Sequence, residues 1–243
     1  MTFLGVLIAV AAVVGGHTLE GGLPEQLLNV SAAVIVLGGT IAAAFIQSPV
    51  EDVRAAFAAI KWAFAGKRYP VDQGIEDIYQ WCDSVRKDGL LSLEKHVEKQ
   101  KDSYLSSGLQ MLVDGKSGNL IRDELGTQMV TTEQTSLRGA RVLEAMGGYA
   151  PTLGILAAVL GLIQVMTKLD SPNELGSGIA LAFVATVYGL AFANLFLIPV
   201  ANKAKNLALM HYNYQEMMME GFVGIANGQN PRALKQRLEA YQV

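Results

Sequence analysis

Two long runs without a charged side chain dominate the second half of the chain. Residues 145–167 and 175–202 contain no Asp, Glu, Lys or Arg, and each is long enough to cross a bilayer core of roughly 30 Å as a helix. The polar break between them, Lys168-Leu-Asp-Ser-Pro-Asn-Glu174, has room only for a tight turn at a membrane surface. The pair therefore predicts a transmembrane helical hairpin. Two earlier runs predict two further spans. Residues 1–19 are uncharged and largely apolar, and residues 26–50 follow, broken by Gly38-Gly39 and stopped by Ser48-Pro49. From 51 to 144 the pattern changes: charges are frequent, and apolar residues recur at helical spacing, as in Val53, Phe57, Ile60, Phe64 and again Ile75, Ile78, Tyr79, Cys82. Gly66-Lys-Arg-Tyr-Pro70 and Gly115-Lys-Ser-Gly118 predict breaks between those helices. The fold class expected is an all-α integral membrane protein in four segments. Residues 1–50 hold spans one and two, 51–144 a soluble helical domain, 145–202 spans three and four, and 203–243 a helical tail.

Small residues in the hairpin fall in stripes. Ala150, Gly154, Ala157, Ala158 and Gly161 share one face of the third span, and Gly178, Ala182, Thr186, Gly189 and Ala193 share one face of the fourth. In lipid such stripes allow backbones to approach closely, because packing replaces the missing hydrophobic drive. Ordinary helix–helix contact and a close-packed wall facing something other than lipid are both consistent with the pattern.

Charge then orients the chain. Of 19 Lys and Arg residues, thirteen lie within 51–144 and five within 203–243, while Lys168 stands alone in the hairpin turn. By the positive-inside rule the large domain, the tail and the N-terminus are cytoplasmic, and two short turns face outward. Residues 1–19 lack the basic start of a secretory signal, so a retained span is expected. The net charge of −3 offers no basic stripe for nucleic acid. One cysteine, Cys82, and three scattered histidines, His17, His96 and His211, supply neither a disulfide nor a metal-ligand spacing. Gly115-Lys116-Ser117 lacks the glycine five residues upstream that a phosphate-binding loop requires, since position 110 is Gln. No nucleophile–base pair stands out, and no catalytic residue, metal site or organic cofactor is expected.

At Gly148-Tyr-Ala-Pro-Thr-Leu-Gly-Ile-Leu-Ala-Ala-Val-Leu-Gly161 and Gly178-Ile-Ala-Leu-Ala-Phe-Val-Ala-Thr-Val-Tyr-Gly189 the chain resembles the flagellar stator subunits of the MotA/PomA type, within the MotA/TolQ/ExbB proton-channel family. Gly15-Gly-His-Thr-Leu-Glu-Gly-Gly22, Val36-Leu-Gly-Gly-Thr40, Val85-Arg-Lys-Asp-Gly-Leu-Leu-Ser-Leu-Glu94 and Gly228-Gln-Asn-Pro-Arg232 extend the resemblance over essentially the whole chain. The two early spans are similar to the stator branch rather than to the three-span TolQ/ExbB branch. The resemblance implies an inner-membrane, multi-pass subunit forming a pentameric ring around a dimer of MotB/PomB-type B subunits. In that picture ion flow turns the ring, and the cytoplasmic domain pushes the rotor protein FliG. The alternatives are a TolQ/ExbB-like ion-driven energiser of an envelope partner, or a scaffold whose stripes only assemble a complex.

The residues bear on this independently. No Asp, Glu, His, Lys or Arg lies inside the four spans if His17 sits at an outer edge. A proton relay in lipid ordinarily uses one; the carrier carboxylate must then come from a partner, which matches the B-subunit aspartate the resemblance implies. The resemblance further implies rotor contact at Arg86 and Glu94, with Lys87 beside them; a solvated helix face is the alternative. Pro151 and Pro199 match stator prolines, as packing elements or hinges alongside Gly154, Gly161 and Gly189. Thr186 matches a threonine of the ion path, and Ala158 a position where sodium-driven stators tend to carry threonine. Without that oxygen the transported ion is expected to be H+, with Na+ as the alternative.

Overall fold

The computed structural model describes residues 2–66, 69–167 and 172–242. All regular structure among them is helical, and four helices are long and apolar enough to cross a membrane. The chain forms two compact units, Met1–Gly66 with Ser136–Lys205, and Lys67–Thr135 with Asn206–Val243. These boundaries differ from the compositional ones at 50, 144 and 202 because helices run through the points where charge changes.

In the first unit, α1 is Thr2–Leu19. After a short 3-10 turn, Pro24–Leu27, a second helix, α2, occupies 30–47. The expected interruption at Gly38-Gly39 does not occur: both glycines are helical, and the local irregularity is a π-helical stretch, Val34–Gly38. No side-chain contact lies against Gly38, whereas a Cβ on Gly39 would press on Leu153. The helix ends at Gln47, because Ser48 is extended ahead of Pro49, and Val50 opens α3 (Val50–Ala65). Gly66, at φ +66°, closes α3 in the left-handed conformation glycine adopts without penalty. Lys67 and Arg68 of the expected break lie outside the described residues.

The third and fourth spans are parts of longer helices. Helix α7 is Gly118–Met166, 49 residues. Helix α8 covers 172–226, composed of Pro172–Ala191, a π-helical stretch Phe192–Leu197, and Ile198–Ala226. Lys168, Leu169, Asp170 and Ser171 of the expected hairpin turn lie outside the described residues. The first unit's core is mostly alanine, including Ala44, Ala56, Ala59, Ala140, Ala150 and Ala201 around Leu143 and Leu197. That is the packing expected where close backbone approach supplies the attraction.

The second unit has a larger-residue core, with Ile75, Ile78, Leu109, Leu125, Met217 and Phe222 all nearly inaccessible. It contains α4 (Val71–Asp88), α5 (Glu94–Lys99), α6 (Ser103–Val113) and α9 (Pro231–Leu238), with the described portions of α7 and α8 between Gly118 and Ala226 that belong to it. Asp102 caps α6 by accepting from the backbone N–H groups of Tyr104 and Leu105 at 3.0 and 3.3 Å. Gly115 turns the chain after α6 at φ +70°, and the Lys116 ammonium donates to both carboxylate oxygens of Glu124 at 2.9 and 3.1 Å. The Gly-Lys-Ser segment is thus a helix-ending turn whose lysine is already engaged.

Candidate functional site

In the hairpin, the two stripes of small residues face each other. A Cβ placed on Gly154 would lie 2.9 Å from the Ala185 carbonyl oxygen and 3.2 Å from the Gly189 Cα. One on Gly189 would lie 2.5 Å from the Ala150 oxygen and 3.1 Å from the Cα atoms of Gly154 and Pro151. At Gly161 the approach is looser, 3.4 Å to the Ala182 nitrogen and Gly178 oxygen. The stripes therefore make an intramolecular helix–helix seam, with glycine required where backbone meets backbone. Ala157 and Ala185 are buried against Ala32 and Val36 of α2, so the seam's far side is closed by the second span.

Thr186 and Ala158 lie at the margin of this seam, both partly exposed. The Thr186 hydroxyl donates to the Ala182 carbonyl at 3.3 Å, which leaves the oxygen's lone pairs unspent. Ala158 supplies no side-chain oxygen. Pro151 sits inside α7, where its ring nitrogen cannot donate to the Gly147 carbonyl four residues back. Pro199 follows the π-helical stretch Phe192–Leu197, and its missing N–H leaves the Leu195 carbonyl without the usual partner. A π-turn adjoining a proline is one way a helix absorbs that loss.

His17 belongs to the loop end of α1: its Nε2 and the Gln26 side-chain oxygen are 3.2 Å apart, and the same oxygen accepts from the Leu23 N–H at 3.1 Å. With His17 at that end, none of the four apolar helices carries an Asp, Glu, Lys or Arg, or a further His, within its charge-free stretch among the described residues. Among the described residues no cluster of His, Cys, Asp or Glu could hold a metal ion.

The residues expected to meet a rotor lie in the second unit. Arg86 and Lys87 are in the last turn of α4 and exposed. Gly89, at φ +80°, then redirects the chain into the turn Leu90–Leu93, whose Leu93 is fully buried, and Glu94 opens α5 with its side chain exposed. The buried leucine anchors the corner that presents Arg86 and Glu94. Lys87 donates to Asp83 at 2.6 Å, and this bond holds its ammonium above the usual lysine range. Tyr79, Asp83, Arg86 and Lys87 line one open polar groove with Asn230 and Arg232 from the start of α9. Cys82, beneath, is only 2% exposed; its thiol donates to the Gln229 carbonyl at 3.5 Å, and burial raises its pKa.

Residues 96–221 match the model of the MotA/TolQ/ExbB proton channel family, and residues 3–88 match that of the motility protein A N-terminal region. The chain belongs to the MotA/TolQ/ExbB family. It is 34% identical over 99% of its length to motility protein A of Bacillus subtilis, covering 89% of that protein. It also superposes on a chain of the MotAB structure from C. jejuni with a TM-score of 0.94 at 32% identity, covering 99% of this chain and 94% of that one. A chain of the flagellar MotAB stator complex from Bacillus subtilis gives 0.92 at 33% identity, with 99% and 95% coverage.

Two elements of this family member's first unit were not legible as sites. The Tyr188 hydroxyl donates to the Leu27 carbonyl at 2.6 Å and accepts from the Asn29 N–H at 3.1 Å. It thereby satisfies the irregular backbone ahead of α2, where lipid could not. Gly139 faces the Ala55 carbonyl and Ala56 nitrogen of α3 so closely that no side chain fits. The tyrosine's place in Ala-Thr-Val-Tyr-Gly189 was visible, but its partners lie about 160 residues away (|i−j| of 159 and 161).

Proposed function

We propose that the chain is the A subunit of a flagellar stator, working with a B subunit as an ion-driven generator of torque against the rotor protein FliG. The observation that carries this is the near-complete superposition on a chain of the MotAB structure, with a TM-score of 0.94 over 99% of the length. The match of residues 3–88 to a motility-protein model favours the stator branch over a TolQ/ExbB-like energiser. The charge-free spans complement it: this chain supplies helical walls, and the proton-carrying carboxylate comes from the B subunit. The subunit is not an enzyme. It resides in the bacterial inner membrane with both termini, 51–144 and 203–243 cytoplasmic, supported by the 18-to-1 distribution of basic residues. It assembles as a homo-pentamer around the B-subunit dimer.

The ion is H+. A sodium ion shedding water needs several oxygen ligands. Thr186 offers one hydroxyl, and Ala158 offers none. Arg86, Lys87 and Glu94 form the rotor-contacting corner, and Pro151 and Pro199 adapt the two long helices. The test is ion flux in proteoliposomes. The chain alone should be silent, and co-reconstitution with the B subunit should give a proton current insensitive to sodium. A selective current from the chain alone would refute the division of labour, and a sodium-dependent current would refute only the ion assignment.

A further inference from the structure

Helix α3 (Val50–Ala65) follows the second span directly, and its exposed face has an unusual composition. Phe57 is 64% exposed and Phe64 38% exposed, and both stand beside Val53 and Ile60 on the helical wheel. Next around the helix come Lys61 and Arg54, both exposed, and neither engages an acidic side chain among the described residues. Glu51 stands one turn before Arg54 on the same helix and makes no ion pair with it among the described residues. Beside the aromatic stripe runs an open cleft with entirely apolar walls, formed by Ile41 and Phe45 of α2, Val53, Phe57 and Ile60 of α3, and Met146 of α7. The cleft is continuous with the outward side of α2, where Phe45 is half exposed and Ile46 almost fully so.

We propose that this cleft is a binding site for an anionic phospholipid, one acyl chain lying against Phe45 and Phe57 and the phosphate held by Arg54 and Lys61. An apolar face edged by cations that meet no acid among the described residues fits a lipid on both counts. The apolar face is buried among acyl chains, and the long basic stems reach from it to the headgroup layer. Charge complementarity selects an anionic lipid, since each Lys or Arg near a negatively charged membrane surface adds attraction that a zwitterionic lipid does not provide. A second copy of the chain would bury the same phenylalanines but would have to bring acids to meet Arg54 and Lys61. The site rests on the membrane placement proposed above.

The test uses the full chain with its B subunit in phosphatidylcholine vesicles containing either dibromo-phosphatidylglycerol or dibromo-phosphatidylcholine as quencher. In a Trp62→Phe/Trp81→Phe background, which removes the chain's own tryptophan signal, Phe57→Trp places a fluorophore at the cleft, Phe64→Trp repeats it further along the helix, and Phe3→Trp on α1 reports general lipid exposure. Quenching at 57 and 64 should show a preference for the glycerol lipid of up to about 30-fold, from two cationic contacts. The preference should vanish in the Arg54→Gln/Lys61→Gln background, and Phe3→Trp should show none. Equal quenching by both lipids at 57 and 64 would reduce the cleft to ordinary lipid contact and overturn the proposal. Quenching at position 3 but not at 57 or 64 would mean that protein covers the face, which also overturns it. Absence of quenching at all three would refute the membrane placement itself.

Discussion

Substituting Gly189 by alanine isolates the backbone-to-backbone seam of the hairpin. The added Cβ would sit 2.5 Å from the Ala150 oxygen and 3.1 Å from the Cα atoms of Gly154 and Pro151. All three are main-chain atoms in helices, so no rotamer change relieves the contact. Reaching an ordinary 3.4 Å requires the helices to part by up to about 0.9 Å (3.4 − 2.5) along that contact. Overpacking of this kind costs about 1–3 kcal/mol. It is opposed by alanine's better helix propensity, worth about 1 kcal/mol. The net expectation is a loss of up to about 2 kcal/mol, with weaker contact along the whole seam because packing is the main attraction there. Gly5→Ala in α1 is the matched control: nothing lies within 4 Å of its Cβ, so only the propensity gain remains. Thermal unfolding of the detergent-solubilised complex should place Gly189→Ala below the parent and Gly5→Ala at or above it. Equal stability of the two variants, or a more stable Gly189→Ala, would refute the claim that main chain meets main chain at this point.

Tyr188→Phe removes one hydroxyl and leaves both the Leu27 carbonyl and the Asn29 N–H unpaired; stability should fall by about 1–3 kcal/mol, read as a lower unfolding midpoint, and an unchanged midpoint would mean water replaces the hydroxyl. In the second unit, burial raises the phenol pKa values of Tyr69 and Tyr214 to about 12, and that of Tyr104 further. Folding therefore favours the neutral phenols. Their stabilisation is complete below the ordinary pKa of about 10 and is lost as pH rises through about 12. Alkaline unfolding followed by tyrosinate absorbance should be shallower in Tyr104→Phe, which also frees the Gln215 carbonyl that Tyr104 donates to at 3.1 Å. Reversing Arg86 or Glu94 should slow swimming without loss of complex assembly, and a compensating reversal on the rotor should restore it. Because exposed ion pairs contribute only about 0–1 kcal/mol, neutralisations should be milder than reversals, and normal swimming by Arg86→Glu/Glu94→Lys would assign both to a solvated face.

The chain's hydrophobic pattern made four spans and the helical domain legible because lipid and water impose opposite compositions on their neighbours. It was less informative about where a compact unit ends. Dense charge begins at 51, yet α3 belongs to the unit of the spans, its Ala56, Ala59 and Ala63 packed against Ala140 and Leu143. Likewise α7 crosses the compositional boundary at 144 without interruption. The Gly38-Gly39 pair predicts a break by local propensity, but a helix in lipid must keep its backbone groups paired, and it is continued as a π-helical stretch. Spacing correctly grouped Gly154 with Gly161 and Gly178 with Gly189, since helical periodicity is local. It could not say what each stripe touches, because the identity of a partner across 17 to 39 residues of sequence is a tertiary fact.

The mutual packing of those stripes has a consequence for how an ion could be handled. The glycines are consumed in holding α7 against α8, so the seam itself is closed to solvent at Gly154 and Gly189. The ion path proposed above therefore follows its margin, where Thr186 and Ala158 remain partly exposed. On the margin this chain offers one hydroxyl, already donating to Ala182, and no group that titrates. Such a surface can orient a carboxylate and its water, but it cannot itself exchange a proton at neutral pH. The seam fixes the geometry of the wall, and in the function proposed above the charge that moves along it is carried by the B subunit.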